Sequence, residues 1–302
     1  MNKNRLKQFG GIGDAIFIGV IYFILFLILL LILLPLMNIV SSAFSSPRAI
    51  AQGRVGLFPV EFTTLGFQAA LSNELIISGF INSLYYTVLA TFLQLTLTLF
   101  IAYPLSRDGF VGKKLFIAYF TITMFVGGGL VPTFLLMNNL GLLDTRAVMI
   151  LPAGVSVFHM IIARTFMRTS IPADLYGAAE IDGASDARIF FQLVLPLTKP
   201  LIAVMILMFA VGHWNAFFGA MIYLRSDDLF PLQLVLRRIL ILNQLDIGRM
   251  DIRQLSELWD RQFYTELIRY SSIVIASIPM LMLYPFIQRY FIKGVMLGSL
   301  KE

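Results

Sequence analysis

Side chains that could do chemistry gather in two stretches of this chain of 302 residues. The first, Gly177–Pro200, reads GAAEIDGASDARIFFQLVLPLTKP and places charged and small residues between two very hydrophobic segments. The second, Gly212–Phe218, reads GHWNAFF and combines small, polar and aromatic residues. No pair of nucleophile and base stands out in the chain, so both stretches suit recognition better than bond-making.

The residues that would build a metal or phosphate centre are scarce. His159 and His213 are the only histidines, neither has a carboxylate at ligand spacing, and the chain has no cysteine. A zinc site is therefore not expected. The sequence also lacks the G-x-x-x-x-G-K-[ST] loop that cradles nucleotide phosphates. We expect no ATPase site, no metal site and no cofactor bound by the chain itself.

The composition indicates an integral membrane protein. Hydrophobic residues make up 58% of the chain and charged residues 13%, whereas soluble domains have about 25% charged residues. The apolar residues lie in runs that reach the roughly 20 residues a helix needs to cross a bilayer. The formal net charge of +6 is then explained by Lys and Arg on cytoplasmic loops rather than by binding to nucleic acid.

We predict an all-α, polytopic membrane protein whose 302 residues form one transmembrane domain. The apolar run after the basic N-terminus is too long for the h-region of a signal peptide, which has about 7–15 residues, so it is interpreted as a retained first span. The predicted spans are residues 15–40, 82–106, 115–138, 147–167, 200–224 and 267–291. Gly127–Gly129, inside the third, are expected to serve close packing or a bend.

The charged residues predict the orientation of the chain. With the N-terminus inside, the inner segments carry the whole net charge of +6, as the positive-inside rule expects. Both termini are then cytoplasmic, residues 168–199 form a cytoplasmic loop, and residues 41–81 and 225–266 form outer cap segments.

The charged stretch must lie outside the lipid. Each charge at a helix centre costs about 2.5–3.5 kcal/mol on the insertion scale. Pro172 suits a helix start, Gly183 suits a turn, and Ile189, Phe190, Leu193 and Val194 have the spacing of a core face. The stretch therefore predicts helix, glycine turn, helix and proline. Two roles remain open: docking to a partner, or an amphipathic anchor at the headgroups.

This stretch resembles the E-A-A…D-G-A…L-P motif of permease subunits of binding-protein-dependent ABC importers. NSLYYTVLATFLQLTLTLFIAYPLSR (residues 82–107), MFVGGGLVPTFLLMNNLGLLDT (124–145) and VGHWNAFFGAMIYL (211–224) extend the resemblance along the chain, to the carbohydrate-uptake branch. The resemblance implies a type I importer permease in the bacterial cytoplasmic membrane. Its implied partners are a second, different permease, a cytoplasmic ATPase dimer that uses ATP and Mg²⁺, an extracellular solute-binding protein and an oligosaccharide.

In that family the motif forms the coupling helix that sits in a groove of the ATPase. Gly177 stands where the family has its first acidic residue, so Asp182 becomes the better candidate for a charged contact, and Glu180, one turn later, is a candidate substitute. The residues expected to couple to the ATPase are Gly177, Ala178, Ala179, Glu180, Asp182, Gly183 and Pro196.

The second stretch has the residue types that bind sugars. Asn and His can hydrogen-bond to hydroxyl groups, while Trp and Phe can stack on C–H faces; the alternative is packing between helices. The candidates for substrate translocation are His213, Trp214, Asn215, Phe217, Phe218 and His159. Arg237 and Arg238 in the outer cap could contact a binding protein or an acidic saccharide, or form a solvated face.

The favoured function is import of an oligosaccharide, with uronate-containing saccharides among the candidates. A stand-alone secondary carrier or channel for a small polar solute is the alternative. Coupled carriers usually place acidic or His residues within their spans, and no Asp or Glu falls within the predicted spans. A membrane scaffold whose loop binds another cytosolic protein is a third reading.

Overall fold

The computed structural model describes residues 12–242, 265–266, 268–285 and 288, which form helices and connecting segments without a strand. Both termini and most of the predicted outer cap after residue 242 lie outside the described residues. The helices are α1 (Ile12–Ala43), α2 (Pro47–Ala51), α3 (Leu65–Ser72), α4 (Glu74–Ser106), α5 (Lys113–Phe125), α6 (Leu130–Asn139), α7 (Val157–Ser170), α8 (Ala173–Ile181), α9 (Asp186–Ile189), α10 (Leu195–Leu197), α11 (Lys199–Trp214), α12 (Phe218–Tyr223), α13 (Leu232–Leu242) and α14 (Ile268–Pro285).

Three of the described helices are long and apolar enough to cross a bilayer: Ile16–Ala43 within α1, α4 and α14. Three bent pairs of helices raise the number to six if each pair is one span. The all-α fold is therefore confirmed, and the count of six spans stays a prediction. The described residues divide into two compact units, one within residues 1–72 and 239–275 and the other within 73–238 and 276–302.

In the first unit, α1 is exposed along its apolar length, which suits a helix surrounded by lipid or by other apolar surfaces. Buried serines fix its C-terminal end to the following segment. Ser41 Oγ donates to the carbonyl of Leu57 at 2.6 Å, and the amide of Val60 donates to Ser45 Oγ at 2.9 Å. These bonds give part of the predicted outer cap a defined structure, since they pair polar groups that would otherwise be buried alone.

In the second unit, the 33-residue helix α4 is the central element. Asn73 caps it by accepting bonds from the amides of Leu75 and Ile76, and Glu74 in the first turn suits the positive end of the helix dipole. Its apolar face packs against α7 and α11, which contribute Met160 and Met205 among the fully buried side chains. At roughly 1.5 Å per residue, α4 is long enough to extend beyond the ~30 Å hydrocarbon core.

The chain turns sharply at the three glycines Gly127–Gly129. Helices α5 and α6 meet there at 110°. Gly129 has φ +77°, which disfavours any residue with a Cβ, whereas a Cβ on Gly127 would meet no other atom. Of the two predicted roles, the bend is the one that the structure supports.

Candidate coupling loop and transport site

The coupling loop begins with α8, and a glycine follows the end of this helix. Gly183 has φ +75°, the left-handed conformation that glycine adopts without strain. Its amide donates to the carbonyl of Glu180 at 3.0 Å, and the amide of Ala184 donates to the carbonyl of Ala179 at 2.9 Å. This pair of bonds is a Schellman motif, which satisfies the last carbonyls of the helix. The predicted glycine turn is therefore present and has a fixed direction.

The second half of the loop turns into α11 through a distorted helix. Ser185 caps α9 by accepting from the amide of Arg188 at 3.4 Å, and Phe190–Val194 then form a π-helical turn. The segment Asp186–Leu197 meets α11 at 79°. Pro196 and Pro200 lack amide hydrogens, so they cannot complete a regular helical ladder here.

One face of this segment is buried, as its spacing predicted. Ile189, Phe190 and Val194 are each at most 3% exposed, and Leu193 packs against them partly buried. The ring of Phe190 lies 5.1 Å from that of Tyr103 in α4. The loop is thus seated on the end of α4 by apolar contacts.

The opposite face of the loop carries the predicted coupling residues. Ala178, Glu180, Asp182, Gly183 and Pro196 are exposed, while Gly177 and Ala179 are half-buried. A concave groove of about 300 Å³ lies beside them, with Ala179, Asp182 and Arg188 in its walls. A Cβ on Gly177 would meet no atom within 4 Å, so packing among the described residues does not require a glycine at this position.

Glu180 has a partner that the sequence analysis missed. The guanidinium of Arg107, the residue directly after α4, donates to the Glu180 carboxylate. The same guanidinium lies 4.0 Å above the ring of Tyr176, and burial raises the pKa of the Tyr176 hydroxyl. Arg107 therefore joins the coupling helix to the end of α4. The two residues of the pair are 73 positions apart, so no local pattern in the sequence could reveal it.

The second stretch lies at a break between two helices. Helix α11 ends at Trp214, α12 begins at Phe218, and the Asn215 side chain donates to the carbonyl of Val211 at 2.9 Å. In the sequence this region reads as one continuous span, 200–224. Irregular backbone at membrane depth is tolerated where it is buried in protein or lines a water-filled cavity, and transporters often bind substrate at such breaks.

Residues around the break have different surroundings. His213 Nε2 lies 2.9 Å from Oε1 of Gln94 in α4, a second contact that the sequence analysis missed. Asn215 is exposed, as are Phe217 at 38% and Phe218 at 54%. These side chains present hydrogen-bonding and apolar surfaces next to one another.

Trp214 instead faces inward and is 1% exposed. Its indole nitrogen donates to the carbonyl of Ala276 at 3.0 Å, and its ring meets Phe80 edge-on at 5.6 Å. It lines a cavity of about 520 Å³ whose other walls are apolar apart from Thr87 and Thr91. Its hydrogen-bond donor is already used, so Trp214 packs between helices in this structure.

His159 lies against α11 rather than within the break. Its Nδ1 is 2.7 Å from the Ser156 hydroxyl, and its ring meets that of Phe209 at 4.8 Å. Its buried Nε2 has no hydrogen-bond partner among the described residues. Among the same residues, no three His, Asp or Glu side chains are placed to hold a metal ion.

Comparison with known proteins gives the family. No protein-family model matches the chain. The polygalacturonan/rhamnogalacturonan transport system permease protein YtcP of Bacillus subtilis is 35% identical over 289 residues, which cover 95% of this chain and 99% of YtcP. The chain belongs to the family of permease subunits of ABC sugar importers. Protein LplC of the same organism is 36% identical to this permease over 88% of each chain.

A solved structure agrees with this assignment. A chain in the crystal structure of a bacterial ABC transporter involved in the import of the acidic polysaccharide alginate superposes with a TM-score of 0.84. It is 32% identical, and the match covers 94% of this permease and 99% of that chain. The resemblance seen in the sequence and the fold class are thereby confirmed.

Proposed function

We propose that this permease moves an acidic oligosaccharide into the cytoplasm as part of an ATP-driven importer. Its partners in the proposal are a second, different permease, an extracellular solute-binding protein and a cytoplasmic ATPase dimer that consumes ATP with Mg²⁺. The complex lies in the bacterial cytoplasmic membrane with both termini of this chain inside. The observation that carries the proposal is the coupling loop, which is exposed on one face and packs against α4 with the other.

The proposed path of the coupling motion follows side-chain contacts within this chain. The ATPase contacts the face formed by Ala178, Asp182 and Gly183, which is exposed in this chain. Movement of α8 then reaches α4 through Arg107 and Tyr176. Helix α4 carries Gln94, which bonds to His213 beside the break after α11. One helix thus connects the coupling loop to the proposed sugar path.

The sugar-facing residues in this proposal are His213, Asn215, Phe217 and Phe218. Hydroxyl groups of the sugar bond to the polar pair, and its C–H faces pack on the phenyl rings. Trp214 stiffens the wall behind them, and His159 supports α11 through Phe209.

The acidic character of the substrate is supported by the relatives. YtcP is named for polygalacturonan and rhamnogalacturonan, and the structural neighbour for the acidic polysaccharide alginate. Galacturonans and alginate are polymers of uronic acids. Two relatives named for arabinooligosaccharides are less similar, at 28% identity over 88% of this chain and 31% over 74%.

The test uses the complete complex in proteoliposomes, with labelled trigalacturonate supplied on its binding protein. We expect ATP-dependent uptake that falls by at least about a hundredfold in Asp182→Arg and in Gly183→Pro, because proline cannot adopt a positive φ. Substrate-stimulated ATP hydrolysis should fall in parallel. Glu74→Arg reverses an exposed charge at the opposite end of α4 and should change neither.

Uptake without the ATPase subunits would contradict the proposal and favour a stand-alone carrier or channel. Full uptake and stimulation in both loop variants would show that the loop does not couple to the ATPase.

A further inference from the structure

Two adjacent arginines on α13 have different surroundings. Arg238 Nη1 donates to Asp227 Oδ1 at 2.7 Å, and its guanidinium lies 4.2 Å above the ring of Phe230. Arg237 has no carboxylate within ion-pair distance among the described residues; its guanidinium donates to the sulfur of Met221. A thioether is a weak acceptor, and a guanidinium has five N–H donors. Arg237 therefore keeps most of its donors, and its full charge, available.

The Arg237 guanidinium is held beside an exposed aromatic ring. It lies 5.5 Å from the ring centre of Phe217, at the break between α11 and α12. Phe217 is 38% exposed. This spacing is looser than the 4.2 Å stack of Arg238 on Phe230, and both Arg237 and Phe217 remain partly exposed next to each other.

The helix that carries Arg237 is fixed to α4. The amide of Leu232 donates to Ser83 Oγ at 2.8 Å. A Cβ on Gly79 would lie 3.1 Å from Val235 Cγ2 and 3.2 Å from Leu232 Cα, so the close approach of α13 depends on that glycine. Arg237 is thus placed by a packed element, which lowers the entropy lost when a ligand binds.

The segment before α13 is also tied down, and the carboxylates of Asp227 and Asp144 bind other groups. Asn82 Nδ2 donates to the carbonyl of Asp228 at 2.6 Å, and the Tyr86 hydroxyl donates to that of Leu229 at 2.9 Å. Asp227 is bound to Arg238. Asp144 accepts from the amides of Arg225 and Ser226 and from the Ser226 hydroxyl. Neither acid competes for Arg237.

We propose that Arg237 and Phe217 form a binding site for a uronate residue of the transported saccharide. A uronic acid has a carboxylate next to an apolar C–H face of its ring. A guanidinium binds a carboxylate through two parallel hydrogen bonds, and a phenyl ring packs on a C–H face. Lysine would supply the charge without the planar fork. The inference rests on the proposed function, because the ligand is the cargo of the importer.

The test compares two probes that differ in charge and share the same sugar: trigalacturonate and its methyl ester. Uptake of both is measured with the reconstituted complex, and the ratio of acid to ester is compared between variants. The ratio is independent of how much complex folds and assembles, since both probes are measured on the same preparation.

We expect Arg237→Gln to lower the acid-to-ester ratio by at least about tenfold, because hydrogen bonds to charged groups contribute more than neutral ones. Arg237→Lys should lower it less. Phe217→Leu should reduce uptake of both probes and leave the ratio near that of the unchanged protein. The double variant Arg238→Gln with Asp227→Asn, which removes the neighbouring ion pair without freeing a carboxylate, should also preserve the ratio.

An unchanged ratio in Arg237→Gln, or an equal fall in the double variant Arg238→Gln with Asp227→Asn, would overturn the site. Failure of the proposed function looks different: the unchanged complex would then take up neither probe with ATP present.

Discussion

The coupling loop and the broken segment from α11 to α12 both contact α4, but they differ in how much of their surface is covered. The loop is closed on itself by a Schellman turn at Gly183 and fastened to the end of α4 by Arg107 and Phe190. The broken segment has an irregular turn at Asn215 and exposed aromatic rings, and it meets α4 through His213 and Gln94. The region proposed to couple to the ATPase has a capped helix end and a buried apolar face. The region proposed to meet substrate leaves side chains open.

Among the variants that separate these two regions, the one that breaks the contact between the loop and α4 should have the largest effect. Arg107→Glu should reduce uptake and substrate-stimulated ATP hydrolysis roughly tenfold, because contacting residues have coupling energies of about 0.5–3 kcal/mol. The reversed pair, Arg107→Glu with Glu180→Arg, should recover most of both activities. Both are measured on reconstituted complex, with basal ATPase activity as the reference.

If Arg107 has a purely structural role, the single and double variants should lose uptake and ATPase stimulation equally. That result would contradict the proposed path of motion from α8 to α4.

A smaller effect is expected on the other side of the comparison. Gln94→Leu removes the partner of His213 and should lower uptake by a few fold, since interhelical polar contacts in membranes contribute about 0.6–2 kcal/mol. Stimulation of the ATPase should be largely retained, because the coupling loop is untouched. Equal losses of uptake and of ATPase stimulation would show that the contact between Gln94 and His213 also affects coupling to the ATPase.

The smallest effect concerns the turn at Asp144, between the predicted third and fourth spans. The Ser226 hydroxyl, and then the amides of Ser226 and Arg225, hold the pKa of the Asp144 carboxyl below its usual value. Its contribution to stability is therefore present above the unfolded pKa of about 3.9 and is lost as the pH falls through the folded value.

Asp144→Asn should remove part of this pH dependence. Asp144 has φ +56°, a conformation that Asn tolerates, so the variant changes the charge more than the backbone. Melting temperatures of the purified permease should then converge for the two proteins as the pH is lowered from 6 toward 3. A constant difference across this range would mean that the carboxylate charge does not stabilise the turn.

Much of the coupling loop could be predicted from the sequence because its signals are local. Gly183 in a turn and the buried face of Ile189, Phe190 and Val194 follow from residue types and spacing, and the structure has both. The all-α fold follows from long apolar runs. The bend at Gly127–Gly129 was one of two roles expected from three consecutive glycines.

The rest was hidden for two physical reasons. Arg107–Glu180 and Gln94–His213 join residues 73 and 119 positions apart, and only the packing of helices brings them together. The break at Asn215 contains neither proline nor a run of glycines, so hydropathy reads the region as continuous. The surroundings of Trp214 were hidden as well, because tryptophan can either stack on a sugar or pack between helices.

The central claim is that the face of α8 docks on the ATPase, and one cross-linking measurement tests it most directly. The chain has no cysteine, so Ala178→Cys introduces a single thiol at an exposed position of α8, and Gln68→Cys does so on α3 in the predicted outer segment. Each thiol is labelled with a photoactivatable maleimide in the assembled complex. We expect Ala178→Cys to cross-link to the ATPase subunit and Gln68→Cys not to do so. Cross-linking to the ATPase from Gln68→Cys, or its absence from Ala178→Cys, would contradict the account.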